Sequence, residues 1–184
     1  MKHCDIAITP VEPRLHLGKS EHEHDVNPTQ CRRLIGFEHY LCNMRHNLDS
    51  SVRIVRRFME RPKVSHLKAV KRIIRYIKGS IGCKILFPTT DKGIKYNLLG
   101  YTDSNWCGDK DDIKSTVGYI FMFGETPILW CSKKESVVTL SSHEAKYIAT
   151  SLYVSQAAWL MNLLKELYSE EGEVITLMVD NIPL

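Results

Sequence analysis

The sequence predicts an α/β fold with one mixed sheet, preceded by a basic helical segment. An antiparallel three-strand meander, a long helix and a parallel central strand make up that sheet. Short apolar runs separated by turn residues fill much of positions 83–132, a helical pattern extends over 142–168, and an almost continuous apolar run follows at 174–179. A helix that crosses over to a further strand favours a parallel pair, so we expect the last strand to lie beside the first.

Length and composition limit the class of protein. The chain has 184 residues, of which 43% are hydrophobic and 25% are charged, as in ordinary globular domains. It contains no run of about 20 apolar residues and no secretion signal, so we expect no membrane contact and an intracellular location, cytoplasmic or nuclear. The expected division is a flexible N-terminal segment at 1–26, a helical segment at 27–80 and a sheet domain at 81–184.

Three helices are predicted in the first half of the chain. The run Asn27-Pro28-Thr29 has the composition of a helix start, and apolar residues then repeat at helical spacing. A second helix is expected to begin near Leu48. The third is expected to begin after Ser65 as its N-cap and to end at Gly79.

The strands of the meander are expected between turn signals. Apolar runs at 83–87, 96–102, 117–123 and 128–132 alternate with polar or glycine-containing segments. The run at 174–179 is apolar at nearly every position. That pattern is typical of a strand buried on both faces, so it predicts a central strand.

Charge is divided unevenly along the chain. Residues 1–90 hold 17 Lys or Arg against 8 Asp or Glu, and residues 91–184 hold 8 against 13. Residues 45–78 alone carry eleven basic and two acidic side chains. A helical surface that is mostly positively charged is typical of contact with a phosphate backbone. The alternative is a surface that is only exposed to solvent. The residues expected to bind nucleic acid are Arg53, Arg56, Arg57, Lys68, Lys71, Arg72, Arg75 and Lys78.

Three carboxylates are candidates for a metal site. Asp103 and Asp180 each follow a predicted strand, and Glu144 lies in the first turn of the long helix. Neighbouring parallel strand ends would bring them together, and oxygen ligands alone suit Mg²⁺ or Mn²⁺. Each has an alternative role, because Glu144 forms a capping-box pattern with Ser141 and the two aspartates fit turns.

Several linked motifs resemble the ribonuclease H domain of copia-type retrotransposon polyproteins. They are YTDSNWCGD at 101–109, KSTVGY at 114–119, WCSKK at 130–134 and LSSHEAKY at 140–147. Residues 31–41 and 58–79 resemble the connection region between polymerase and ribonuclease H in the same polyproteins. The resemblance covers about residues 26–181.

This resemblance implies the ribonuclease H fold and cleavage of the RNA strand of RNA–DNA hybrids during reverse transcription. It implies Asp103, Glu144 and Asp180 as the first three metal-binding, catalytic carboxylates, with two Mg²⁺ or Mn²⁺ ions. It also implies the polymerase portion of a parent polyprotein, absent from this chain, as a partner.

Departures from the family pattern support an alternative. The family continues beyond Asp180 with a basic, histidine-containing segment and a fourth carboxylate, and this chain stops at Leu184. Asn105 stands where an acidic residue is usual, and Lys146 where glutamate is usual. The alternative is therefore a catalytically defective fragment that keeps the fold and a basic nucleic-acid-binding surface. Its sheet domain would be incomplete at the C-terminus. A small α/β domain whose acidic residues only cap helices and turns is a third hypothesis.

Overall fold

The computed structural model describes residues 4–13, 15, 17–19, 22–85, 98–109, 111–168 and 175–179. The chain divides into two compact units, Met1–Lys84 and Ile85–Leu184. Each unit has its own apolar core. None of the described helices is long and apolar enough to cross a membrane.

Three helices form the first unit: α1 (Pro28–Cys42), α2 (His46–Arg56) and α3 (Val64–Gly79). The start of α1 is as predicted, since Asn27 Oδ1 accepts hydrogen bonds from the backbone N–H groups of Thr29 at 2.9 Å and Gln30 at 3.3 Å. These bonds satisfy donors that the first turn of a helix leaves without a helical partner.

The prediction of Ser65 as the N-cap of the third helix is wrong. The N-cap of α3 is Lys63, whose backbone N–H donates to His66 Nδ1 at 2.9 Å. Ser65 lies inside the first turn, where its backbone N–H donates to Glu23 Oε2 at 3.0 Å. A glutamate far away in the sequence thus satisfies a donor of the first turn, which a local serine signal does not reveal.

Apolar faces of the three helices meet in the core of the first unit. Leu48, Val52 and Val55 of α2 are fully buried there, as are Val70 and Ile73 of α3. Burial of side chains of this size contributes about 1.5–3 kcal/mol each. Packing therefore holds together helices that are too short to be stable alone.

Four described strands and one helix form the second unit: β1 (Leu98–Asn105), β2 (Thr116–Phe123), β3 (Thr126–Lys134), α4 (Ser142–Tyr168) and β4 (Ile175–Val179). The strand order is β3-β2-β1-β4. β2 pairs antiparallel with β1 and β3, whereas β4 pairs parallel with β1. The predicted meander, crossover helix and parallel strand are confirmed at this level. Of the run at 83–87, residues 86–87 lie outside the described residues, and 83–85 form no strand.

β4 lies at the edge of the described sheet, so the prediction of a central strand is wrong for this part of the chain. Thr176 and Met178 are exposed on one face, while Ile175, Leu177 and Val179 pack against the core on the other. An apolar run in the sequence indicates only which side chains can be buried. Whether both faces are covered depends on elements elsewhere in the chain.

Helix α4 packs on one face of the sheet through small residues. Ala145, Ala149, Tyr153, Ala157 and Leu160 are buried at intervals of three and four residues. The stripe predicted from the sequence is different: Ala145, Ile148, Ala149, Leu152, Gln156, Trp159, Leu163 and Leu167. Three of its members, Leu152, Trp159 and Leu167, are exposed in the structure. Since alanines allow a closer approach of helix and sheet, they decide which face of α4 turns inward.

Candidate metal centre and basic surface

Asp103 lies within β1, two residues before the strand ends at Asn105, rather than after the strand as predicted. It pairs in register with Gly118 of β2. The neighbouring even-numbered residues face α4, because a Cβ atom built on Gly100 would meet the ring of Tyr153. Side chains alternate along a strand, so Asp103 lies on the opposite, open face. Its carboxylate is exposed, and Oδ1 accepts from the backbone N–H of Ser104 at 2.7 Å.

Glu144 is exposed in the first turn of α4 and takes part in a helix cap. Its backbone N–H donates to Ser141 Oγ at 3.1 Å, and its Oε2 accepts from the backbone N–H of Leu140 at 2.6 Å. This arrangement resembles the capping box, with the return bond shifted by one residue. The capping alternative for Glu144 is therefore present in the geometry.

Asp180, the third predicted ligand, lies outside the described residues. The parallel pairing of β1 with β4 is described as far as Thr102 with Val179. In the sequence, Asp103 and Asp180 are the residues that directly follow this last pair. Within the described residues no group of three His, Cys, Asp or Glu side chains is placed to hold a metal ion.

The donors that are described fit a hard divalent cation in chemical type. Asp103 and Glu144 both offer exposed carboxylate oxygens. Oxygen ligands of this kind suit Mg²⁺ and Mn²⁺, and two carboxylates with bound water are enough for a weak Mg²⁺ site. A tighter site needs at least one more carboxylate.

Glu135 is a further acidic residue near this region that sequence reasoning missed. It directly follows β3, is only 6% exposed, and both of its carboxylate oxygens are buried with no hydrogen-bond partner among the described residues. Burial raises the pKa of Glu135, and the negative charge of Glu144 raises it further. Its place next to a strand end was the only signal available, because the polar run around it is typical of a solvated loop.

A hydrogen-bonded loop braces the same end of the sheet. Ser115 Oγ lies 3.0 Å from Thr139 Oγ1, and Trp106 Nε1 donates to the Thr139 carbonyl at 3.2 Å. Lys134 Nζ lies 2.7 Å from Asp112 Oδ2 and also pairs with Asp109. The buried Ser115–Thr139 bond ties the segment before β2 to the segment before α4.

The predicted nucleic-acid-binding residues lie on or next to two helices of the first unit. Arg53 and Arg56 belong to α2, Arg57 directly follows it, and the five others belong to α3. Arg53 Nε pairs with the buried carboxylate of Asp49 at 2.7 Å. The structure brings four of the α3 residues to one cavity, whose lining includes Lys68, Lys71, Arg72 and Arg75.

The N-terminal segment contacts the basic residues of α3. Arg72 Nη1 pairs with Glu12 Oε1 at 2.9 Å, and Arg72 Nη2 donates to Thr9 Oγ1 at 3.1 Å. Lys78 Nζ donates to the carbonyl of Cys4 at 3.0 Å. Two of the basic residues predicted to bind nucleic acid therefore already form bonds within the chain.

Comparisons with known proteins give a consistent set of relatives. The chain is 38% identical over 159 residues to the retrovirus-related Pol polyprotein from transposon RE1 of Arabidopsis thaliana, which covers 86% of this chain. It is 35% identical over 156 residues, 85% of this chain, to the corresponding polyprotein from transposon RE2 of the same plant. It is 33% identical over 183 residues, 95% of this chain, to that from transposon TNT 1-94 of Nicotiana tabacum.

These matches span only a small part of the relatives. The chain covers 11%, 10% and 13% of the lengths of the RE1, RE2 and TNT 1-94 polyproteins, respectively. No family model matches the chain. No solved structure matches it either.

Proposed function

We propose, from the premise that this chain belongs to the family of retrovirus-related Pol polyproteins from transposons, that its second unit cleaves the RNA strand of RNA–DNA hybrids. The observation that supports this best is the parallel pairing of β1 with β4. The pairing is described as far as Thr102 and Val179, the residues that directly precede Asp103 and Asp180 in the sequence. The first turn of the connecting helix α4 contains Glu144, the remaining carboxylate of the proposed site.

Asp103, Glu144 and Asp180 would hold one or two divalent cations, Mg²⁺ or Mn²⁺. When bound in such a site, these ions lower the pKa of water and stabilise charge on the phosphate that is cleaved. The protein's part is to fix the three carboxylates. Asp103 is held by its pairing with Gly118 of β2, and Glu144 by the two bonds of its cap. Rigid placement of this kind favours a site that loses little entropy on binding metal.

The first unit would hold the hybrid through its basic helices. Arg53, Arg56 and Arg57 belong to a segment in which eleven basic residues face two acidic ones. Contacts to phosphates carry little sequence information, so binding should be general and should weaken as salt rises. Choice of the RNA strand would depend on contacts to its 2′-hydroxyl groups.

A second candidate is a fragment that binds nucleic acid without cleaving it. It is favoured by the cap bonds of Glu144, which give this residue a structural role. In this case the acidic residues only stabilise the second unit.

Cleavage of a hybrid with a labelled RNA strand separates the two candidates. The full chain is incubated with the hybrid in Mg²⁺ and in Mn²⁺, beside Asp103→Asn and a matched control, Asp111→Asn, in the exposed loop before β2. We expect cleavage by the wild type and the control, and a loss of at least about a hundredfold in Asp103→Asn. Salt-sensitive binding of the hybrid with no cleavage in either metal would support the second candidate.

A further inference from the structure

A cavity lies between the N-terminal segment and α3, entirely within the first unit. Its volume is about 410 Å³. Cys4, Glu12 and Leu15 line one side, and residues of α3 line the other. The bonds of Arg72 to Glu12 and of Lys78 to Cys4 fasten the segment to the helix. The two parts of the chain that border the cavity are thus held together by direct contacts.

Positive charge dominates the lining. Among the described residues that line the cavity, four are basic, Lys68, Lys71, Arg72 and Arg75, and one, Glu12, carries a carboxylate. The four cations repel one another, and a further anion in the cavity would offset that repulsion. The composition therefore favours a negatively charged ligand.

Two of the arginines also have hydrogen-bonding capacity that the described protein does not use. The Nε atoms of Arg72 and Arg75 are buried and have no hydrogen-bond partner among the described residues. A buried donor without an acceptor is costly, and guanidinium groups bind phosphate oxygens through strong, directed bonds. A phosphate oxygen would satisfy such donors once it displaced the atoms that now cover them.

The size of the cavity and its apolar lining suit a ligand that is larger than a phosphate ion and partly apolar. A volume of this size lies within the usual range of small-molecule sites. Leu15 and Ala69 add apolar surface beside the charged groups. A nucleotide unit combines these features, because its phosphate is anionic and its base is flat and largely apolar on its faces.

We propose that this cavity binds the phosphate of a nucleotide unit, and that the carboxylate of Glu12 holds Arg72 until the phosphate displaces it. The phosphate belongs either to a free mononucleotide or to a nucleic-acid strand, since both present the same group. The site stands on the first unit alone. It does not depend on the proposed cleavage by the second unit, and the failure of either leaves the other unaffected.

Titration calorimetry of the full chain with AMP, and with adenosine as the ligand that lacks phosphate, tests this site. We expect AMP to bind and adenosine not to bind. Arg75→Gln should weaken AMP binding by about tenfold or more, while Arg33→Gln, an exposed arginine of α1 outside the cavity, should leave it unchanged. Equal binding by these two variants, or no binding of AMP by the wild type, would overturn the proposal.

Glu12→Gln provides a second variant with an effect in the opposite direction. Removal of the competing carboxylate frees Arg72, so AMP should bind several-fold more tightly, a result that loss of folding cannot produce. Weaker or unchanged binding would contradict the role given to Glu12. Competition between AMP and an RNA–DNA hybrid then identifies the source: displacement of AMP assigns the phosphate to a nucleic-acid strand, and its retention assigns it to a free nucleotide.

Discussion

Glu144 has two chemical roles open to it at the residue scale. Its Oε2 caps the start of α4 through the Leu140 N–H, and its exposed carboxylate also suits a metal ligand. A cap needs only an acceptor oxygen, whereas a metal ligand in this site also needs the negative charge. Glutamine keeps the acceptor and removes the charge, so it separates the two roles.

Glu144→Gln should abolish metal-dependent cleavage while the melting temperature of the second unit changes little. Ser141→Ala is the matched control, because it removes the other cap bond but no proposed ligand. It should lower stability by about 1 kcal/mol and leave cleavage intact. Melting curves and hybrid cleavage are measured on the same preparations. Full cleavage by Glu144→Gln would show that this residue acts only as a cap.

Glu38 is a buried acid of the first unit whose ionisation opposes folding. It is 2% exposed, both carboxylate oxygens lack a hydrogen-bond partner among the described residues, and burial raises its pKa to about 8. Burial also raises the pKa of its neighbour Cys42 to about 11, so that thiol stays protonated at neutral pH. Glu38 is therefore the group whose charge changes between its unfolded pKa, about 4.5, and about 8.

The stability of the chain should fall as pH rises through this range because of Glu38. The unfolded chain releases the proton near pH 4.5, while the folded chain keeps it up to about pH 8. Unfolding thus releases a proton, and the free energy of unfolding loses up to about 1.4 kcal/mol per pH unit. Urea unfolding at pH 5, 6, 7 and 8 should show a smaller slope for Glu38→Gln than for the wild type. Equal slopes would contradict the assignment.

At the scale of elements, the sequence allows prediction wherever the signal is local. Asn27 before Pro28 marks the start of α1, and the helical pattern at 142–168 matches the bounds of α4. The edge position of β4 and the burial of Glu135 depend on contacts between distant segments, which a local pattern does not contain. Asp103 and Glu144 belong to sequence motifs that predict a site, whereas Glu135 lies in a polar run that does not reveal its burial.

The contact between α4 and β1 depends on a glycine. A Cβ atom on Gly100 would lie 2.0 Å from Tyr153 Oη and 2.7 Å from Tyr153 Cζ. Tyr153 is fully buried in the core of the second unit and lies tilted against Phe121, with ring centroids 5.0 Å apart. Its ring has little room to move, so the glycine permits the close packing of helix on sheet.

Gly100→Ala should destabilise the second unit by about 1–3 kcal/mol through overpacking. Tyr153→Phe removes the atom nearest to the new methyl group, so the double variant should lose less than the sum of the two single variants. Thermal unfolding of the four proteins measures this difference. Additive losses would show that the methyl group does not meet this ring.

For the whole molecule, the division of charge is consistent with the proposed holding and cleavage of a polyanion. The net charge is +9 over residues 1–90 and −5 over residues 91–184. The first excess lies on helices of the first unit, and the second includes the three proposed ligands. We propose that those three carboxylates, from β1, the first turn of α4 and the residue after β4, act as one metal site.

Binding of Mn²⁺, followed by the paramagnetic resonance signal of the free ion, tests this claim without requiring catalysis. The full chain should bind Mn²⁺, and Asp103→Asn, Glu144→Gln and Asp180→Asn should each weaken binding by about tenfold or more. Asp111→Asn, the matched control, should bind like the wild type. Mn²⁺ affinities that are the same in all five proteins would contradict a metal site built from these three residues.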